Sequence, residues 1–217
     1  MDTENSGVSN RINLFGTIES SPVFSHDVFG EGFYSFELAV PRLSDTSDTL
    51  PITISERIME GSRFDIGEHL CVTGQIRSYN NYIAEEQRNR LVLTVFAKDY
   101  EFGEQMPSVN PNEVLLNGFI CKPPVYRTTP FGREITDILL AVNRSYNKSD
   151  YIPCITWGRN ARYASKLNVG DNIEIWGRMQ SRIYQKKHDD GSVVEKTAFE
   201  VSVSRIEIVS KGELDEN

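Results

Sequence analysis

The sequence predicts an all-β protein of two small five-stranded barrels in tandem, each with a short helix between its third and fourth strands. Three observations predict it. The chain repeats itself at a constant offset, each copy reads as short strands of alternating polarity, and a single helix-like stretch follows the third strand of the second copy. The repeat comes first because it fixes the domain organisation. Asn10, Leu14, Gly16, Ile18, Pro22, Val23, Phe29 and Gly30 recur 102 residues later as Asn112, Leu116, Gly118, Ile120, Pro124, Val125, Phe131 and Gly132. The same offset joins Leu38-Ala39-Val40, Arg42, Asp48, Pro51 and Arg57 to Leu140-Ala141-Val142, Arg144, Asp150, Pro153 and Arg159. After one inserted residue, Gly67, Gly74 and Ser78 align with Gly170, Gly177 and Ser181. A period this long is a duplicated domain rather than a solenoid. The reading places a first domain at 1–104, a Gly/Pro-containing linker at 105–111, a second domain at 112–210 and a short acidic tail at 211–217.

In the second copy the strands read Glu113–Cys121, Glu134–Asn143, Tyr151–Trp157, Asn172–Met179 and Thr197–Ile208. Phe199, Val201 and Val203 share one phase, which then slips to Ile206 and Ile208, as at a bulge. Arg159–Leu167 reads as the helix, and Asp189-Asp190-Gly191 as a hairpin tip. Trp176 alternates out of phase with Ile173 and Ile175, so it is expected to face away from the barrel centre. Five strands with a helix after the third is the plan of an OB fold, a partly open barrel that binds oligonucleotides on one face and through its loops.

Composition narrows the function. The net charge is −8, but it is divided unevenly: residues 1–107 hold 8 basic and 17 acidic residues, and the remainder 15 and 14. The second copy is therefore free to approach phosphate. Cys71, Cys121 and Cys154 are odd in number, widely spaced and set among apolar neighbours, as reduced core residues are. Among His26, His69 and His188 none has metal-ligand spacing. No apolar run is long enough to span a membrane, and the polar, acidic N-terminus is not a secretory or mitochondrial signal, so a cytoplasmic protein is expected. There is no Ser/His/Asp set, phosphate-cradling glycine loop or two-metal acid cluster. The expectation is a protein without catalytic residues, cofactor or metal.

Three blocks of the second copy, Leu140–Arg144, Tyr151–Gly158 and Gly177–Tyr184, together with the Val125…Phe131-Gly132 hairpin, resemble bacterial single-stranded DNA-binding proteins in order and spacing. The resemblance covers about residues 112–208; in the first copy it rests mostly on the internal repeat. It implies sequence-nonspecific binding of single-stranded DNA in replication, repair or recombination. By motif position it puts base-stacking residues at Tyr146, Tyr151, Trp157 and Tyr184. Cations for the phosphates follow at Arg144, Lys148, Arg159, Arg178, Arg182, Lys186 and Lys187, with Tyr126 and Arg127 as further contacts on the first hairpin. The chemistry stands without the resemblance: an aromatic ring stacks on any unpaired base, contributing about 1–3 kcal/mol, while nearby Lys and Arg follow the backbone. The family's one-barrel members form tetramers and its two-barrel members dimers, which implies a homodimer with four barrels. Its members also carry a flexible tail with an apolar aromatic tip. The sequence runs to Asn217 without such a tip.

At the four stacking positions the first copy has Ser44, Thr49, Ser55 and Asn81, and its last hairpin reads Ala84-Glu85-Glu86. A division of labour follows: the second copy binds nucleic acid, while the first keeps the architecture and meets replication or repair proteins. Two other uses of the fold stay open on these residues, a primosome-type assembly module and a single-stranded RNA binder.

Overall fold

The computed structural model describes residues 9–59, 61–83, 88–103, 110–187 and 191–212. The first half contains β1 (Asn10–Ile18), β2 (Val23–Val28), β3 (Glu31–Pro41), β4 (Ser47–Ser55), α1 (Glu56–Met59), β5 (His69–Ile83) and β6 (Arg88–Phe102). The second contains β7 (Asn112–Ile120), β8 (Val125–Thr128), β9 (Glu134–Arg144), β10 (Lys148–Trp157), α2 (Gly158–Ala164), β11 (Asn172–Lys187) and β12 (Val193–Ser210). Each half has one strand more than the five expected. The additions, β2 and β8, are exposed at every position, so neither shows the alternation that marks a half-buried strand. β11 and β12 outrun their expected ends because their tips form a hairpin arm held by mutual pairing through Lys187↔Val193. The α2 helix ends at Ala164, and turn hydrogen bonds carry the chain on to Leu167.

Closure follows the same rule in both halves. β1 pairs with β5 along most of its length and with β3 at its end, while β4 meets β6 in parallel at Ile52↔Val95. β7 pairs likewise with β11 and β9, and β10 meets β12 in parallel at Cys154↔Val201. The closing strands approach so tightly that a Cβ at Gly16 or Gly118 would overlap the carbonyl oxygen of Ala39 or Ala141. The phase slip before Ile206 is a bulge: the register jumps between Trp176 and Gly177, leaving Ser204 unpaired in the ladder.

The buried alternate residues fill the barrels, with Leu38, Leu50, Ile52 and Ile76 in the first and Leu116, Leu140, Ile152 and Ile175 in the second. Burial of each stabilises by about 1.5–3 kcal/mol. The barrel bottoms are closed differently. α2 and the turn after it plug the second with Ala161, Ala164 and Leu167. The first has only the four-residue α1 and uses an aromatic cluster instead, in which Phe64 packs on Phe36, Tyr100 and Phe102 at 5.0–5.5 Å. Cys154 is buried, Cys71 and Cys121 are partly buried, and burial raises all three thiols above their ordinary range.

The two halves join through β1 and β7, antiparallel from Asn10↔Leu116 to Leu14↔Asn112, so that one sheet of twelve strands runs through both barrels. Flanking this ladder, the buried Asn10 side chain bonds both the Ile76 carbonyl (2.8 Å) and its N–H (2.9 Å). Asn112 does the same to Met179 at 2.7 and 2.9 Å. Two buried carboxylates then cross the seam in opposite directions. Asp48 of the first half accepts from Arg178 (3.3 Å) and from the Ser181 N–H and hydroxyl (2.7 and 3.1 Å), besides its own Arg42. Asp150 of the second accepts from Arg77 (2.9 Å) and the Ser78 N–H (2.8 Å), besides its own Arg144. Burial alone would raise the Asp48 carboxyl, but the Arg42 and Ser181 hydrogen bonds outweigh it and hold the group below the usual carboxylate range.

Candidate nucleic-acid interface

The registers of β8 to β12 put six of the thirteen expected residues on one outer face. On β10, Ile152, Cys154 and Thr156 are buried and Tyr151 and Trp157 are exposed, so the alternate residues share the outer face, where Ile155 lies covered between them. The parallel match Ile155↔Ser202 carries that face onto β12, and Ser202↔Arg178, Glu200↔Gln180, Ala198↔Arg182 and Lys196↔Tyr184 carry it onto β11. In the other direction Trp157↔Ile135 and Ile135↔Arg127 carry it to β8. Tyr151, Trp157, Arg178, Arg182, Tyr184 and Arg127 are thus brought together on a single curved surface.

Trp157 is 37% exposed, and its indole N–H donates to the Ser202 hydroxyl at 3.2 Å, which fixes the ring plane over β12. Tyr151 is 45% exposed at the rim near the seam, where its backbone N–H donates to the Ser78 hydroxyl of the first half. Tyr184 lies on the arm with the Arg182 guanidinium 5.8 Å over its ring. Tyr146 stands apart, in the turn between β9 and β10, with its side chain 93% exposed. It adopts φ = +63°, a left-handed conformation that costs a non-glycine residue about 1–2 kcal/mol. At this exposure the ring gains little from packing against the described residues.

The cations divide into engaged and open. Arg144 and Arg178 are held by the seam carboxylates Asp150 and Asp48, Arg182 lies 3.6 Å from Glu200, and Arg127 makes two bonds to Asp137. Lys148 and Arg159 are exposed, with no ion pair to a described residue. Tyr126 donates its hydroxyl to Glu134 at 2.6 Å, which raises the phenol above its ordinary range. Lys186 and Lys187 end β11; their side chains, like His188, Asp189 and Asp190, lie outside the described residues, as does the first copy's Ala84–Glu86 segment.

The first barrel's matching face is polar where expected and aromatic where not. Ser55 donates to Glu31, and Thr49 donates to Glu19 at 2.8 Å. Yet Phe33, opposite Ser55, packs on Phe96 at 5.7 Å; His26 stacks on Phe33 at 5.0 Å, and Arg77 lies 5.8 Å over Phe96. The repeat alignment missed Phe96 because its counterpart across the bulge is Ser202, visible only once Gly74↔Ala97 and Gly177↔Val203 are paired. The alignment pairs Phe29 with Phe131 but gives neither a role in binding, although both are fully or almost fully exposed at the tips of the β2–β3 and β8–β9 hairpins.

The model of the Single-strand binding protein family matches residues 111–209. Single-stranded DNA-binding protein B of Bacillus subtilis (strain 168) is 33% identical over 83 residues, covering 35% of this chain and 74% of that protein. The chain belongs to this family. Single-stranded DNA-binding protein 1 of Staphylococcus aureus (strain COL) is 36% identical over 83 residues, covering 35% of this chain and 50% of its own. The chain thus spans about half the length of the first curated relatives it matches. Across both halves, the crystal structure of the wild-type single-stranded DNA binding protein of Thermus aquaticus aligns with a TM-score of 0.69 at 20% identity, covering 96% of each chain. That likeness extends the family fold to the first barrel, where sequence similarity fades. Trp176, expected to face outward, is half-buried with the Arg205 guanidinium 4.4 Å over its ring. Among the described residues no helix is long and apolar enough to cross a membrane, and no His, Cys, Asp or Glu cluster suits a metal ion.

Proposed function

We propose that the chain binds single-stranded DNA without sequence preference on the outer face of the second barrel, by stacking and backbone electrostatics and without chemistry on the strand. The observation that carries this reading is Tyr146: an aromatic fully open to solvent in a strained turn, beside a face that also presents Tyr151 and Trp157. Bases stack on these three rings and on Tyr184. Phosphates are met by Lys148 and Arg159, with Lys186 and Lys187 at the arm and Arg144, Arg178, Arg182, Tyr126 and Arg127 in support. Bound counterions are released on binding, so affinity falls as salt rises. Family membership supports DNA rather than a primosome-type protein module or RNA as the target. A homodimer with four barrels, service in bacterial DNA replication, repair or recombination, and contacts of the first barrel with other proteins belong to the same reading.

The test is a titration of labelled oligo(dT), with duplex of the same length as competitor. Preferential single-strand binding, weakened by salt and by Tyr146→Ala, is expected. Equal competition by duplex, or no binding at low salt, would overturn the proposal in favour of the assembly-module reading.

A further inference from the structure

A pocket of about 520 Å³ opens in the seam between the barrels, and four cations line it: Arg11, Arg77 and Lys98 from the first half and Arg144 from the second. None of its lining residues is acidic. Asp150 bonds Arg77 and Arg144, and its single charge is shared between these two guanidinia. Arg11 and Lys98 are exposed and make no ion pair among the described residues. The local balance is a clear surplus of positive charge, although three of the four cations come from the half of the chain whose overall balance is strongly negative.

The opposite seam provides an internal control, because the repeat places a counterpart at each position. Arg144 corresponds to Arg42 and Arg11 to Glu113. Lys98, the residue skipped by the β5–β6 bulge, corresponds to Ser204, skipped by the β11–β12 bulge. There the two guanidinia of Arg42 and Arg178 share Asp48, the two open cations are missing, and Glu113 is added. The carboxylate-guanidinium group therefore belongs to the architecture of both seams. The two extra cations do not, and they belong to one seam only.

The pocket also continues the proposed interface. Ser145 lines it, and the next residue is the exposed Tyr146. From this we infer that the pocket is a phosphate site through which the backbone of a bound single strand leaves the second barrel and crosses onto the first, with Arg11 and Lys98 making the contacts. This rests on the reading of the second barrel as the single-strand interface. It assigns to the acidic first half a direct part in binding, exercised only by strands long enough to reach the seam.

The experiment compares the wild-type chain with Arg11→Ala/Lys98→Ala, folding checked by circular dichroism, on labelled oligo(dT) of about 10 and about 35 nucleotides, since one OB fold holds ~4–16. For the long strand the slope of log affinity against log salt should fall by about 1.4 in the double variant, ~0.7 for each phosphate left without its cation, and affinity should fall by roughly tenfold. The short strand should bind both proteins alike, and Arg11→Lys/Lys98→Arg should keep the wild-type slope. Equal loss at both lengths, or none at either, would overturn the crossing. So would a saturable heat with inorganic phosphate, abolished in the double variant while the long-strand slope stays unchanged, since that describes a free-anion pocket. Failure of the wild-type chain to bind even the short strand would instead remove the parent reading.

Discussion

Where the second barrel sets Trp157 beside Ser202, the first has Ser55 and Phe96 at the matching strand positions. The large ring has moved one strand across the same face, and the consequence lies in what covers it. At the centre of the first barrel's face the rings are spent on one another: Phe33 is buried, His26 stacks on it nearly parallel at 13°, and Arg77 sits over Phe96. In the second, Tyr146, Tyr151 and Trp157 keep accessible surfaces. What separates the two faces is their centre, where the first barrel's rings cover one another and the second's stay open for a base; towards the β5–β6 arm the first barrel keeps Tyr79 and Tyr82 exposed as well. Stacking needs a face on the ring as well as one on the base.

The sharpest break of this comparison is Tyr146→Ala/Trp157→Ala. Two stacks at about 1–3 kcal/mol each predict a loss of roughly thirtyfold or more in oligo(dT) affinity, read by polarisation of a labelled strand. Phe96→Leu in the first barrel should change it less than about twofold, because its ring is already engaged. A loss from Phe96→Leu comparable to that of the double variant would mean that both faces bind.

Next come the seam carboxylates, where the barrels should behave alike. Asp48→Asn and Asp150→Asn each leave two guanidinia without their buried partner, and each should lower unfolding stability by about 3 kcal/mol in urea titrations. Asn10→Ala and Asn112→Ala strip the Ile76 and Met179 backbone groups of their partners, and each should cost about 2 kcal/mol. Widely unequal costs within either pair would show that one barrel supports the other.

The smallest effect is in pH. The Asp48 carboxyl is held below its ordinary value, so its contribution to stability is fully present above about pH 4, the unfolded value, and is lost as pH falls through the lower folded one. Asp48→Asn should flatten that part of the stability profile, which acid titrations followed by circular dichroism would detect.

The duplication, the core phases and the bulge were legible in the sequence because each leaves a periodic trace. Leu140 and Val142 repeat Leu38 and Val40, and the slip from Val203 to Ile206 is the bulge itself. Trp157 and Tyr151 are named by motif position alone, and the buried neighbours on β10 that turn both outward are seen only in the structure. The seam was hidden for a different reason. Asp48 and Asp150 align in the repeat, but nothing local to either says that its partners, Ser181 and Ser78, come from the other barrel. The aromatic cluster of the first face was masked by bulges that shift the alignment of one strand against another. Arg11 and Lys98 lie on strands far apart in sequence and meet only in three dimensions.

The ladder between β1 and β7 runs from Asn10↔Leu116 to Leu14↔Asn112, which reads the same from either barrel. It is the contact that two identical subunits would make around a symmetry axis, here placed within one polypeptide. In a dimer of separate copies any substitution appears at both ends of the interface, so a cation introduced at one seam is introduced at the other. Fusion lifts that constraint. Arg11 faces no second Arg11, and Glu113 stands where its two-fold mate would be. A covalent pair can keep the symmetric scaffold while making one seam positive and leaving the other balanced, a difference that a symmetric dimer cannot supply.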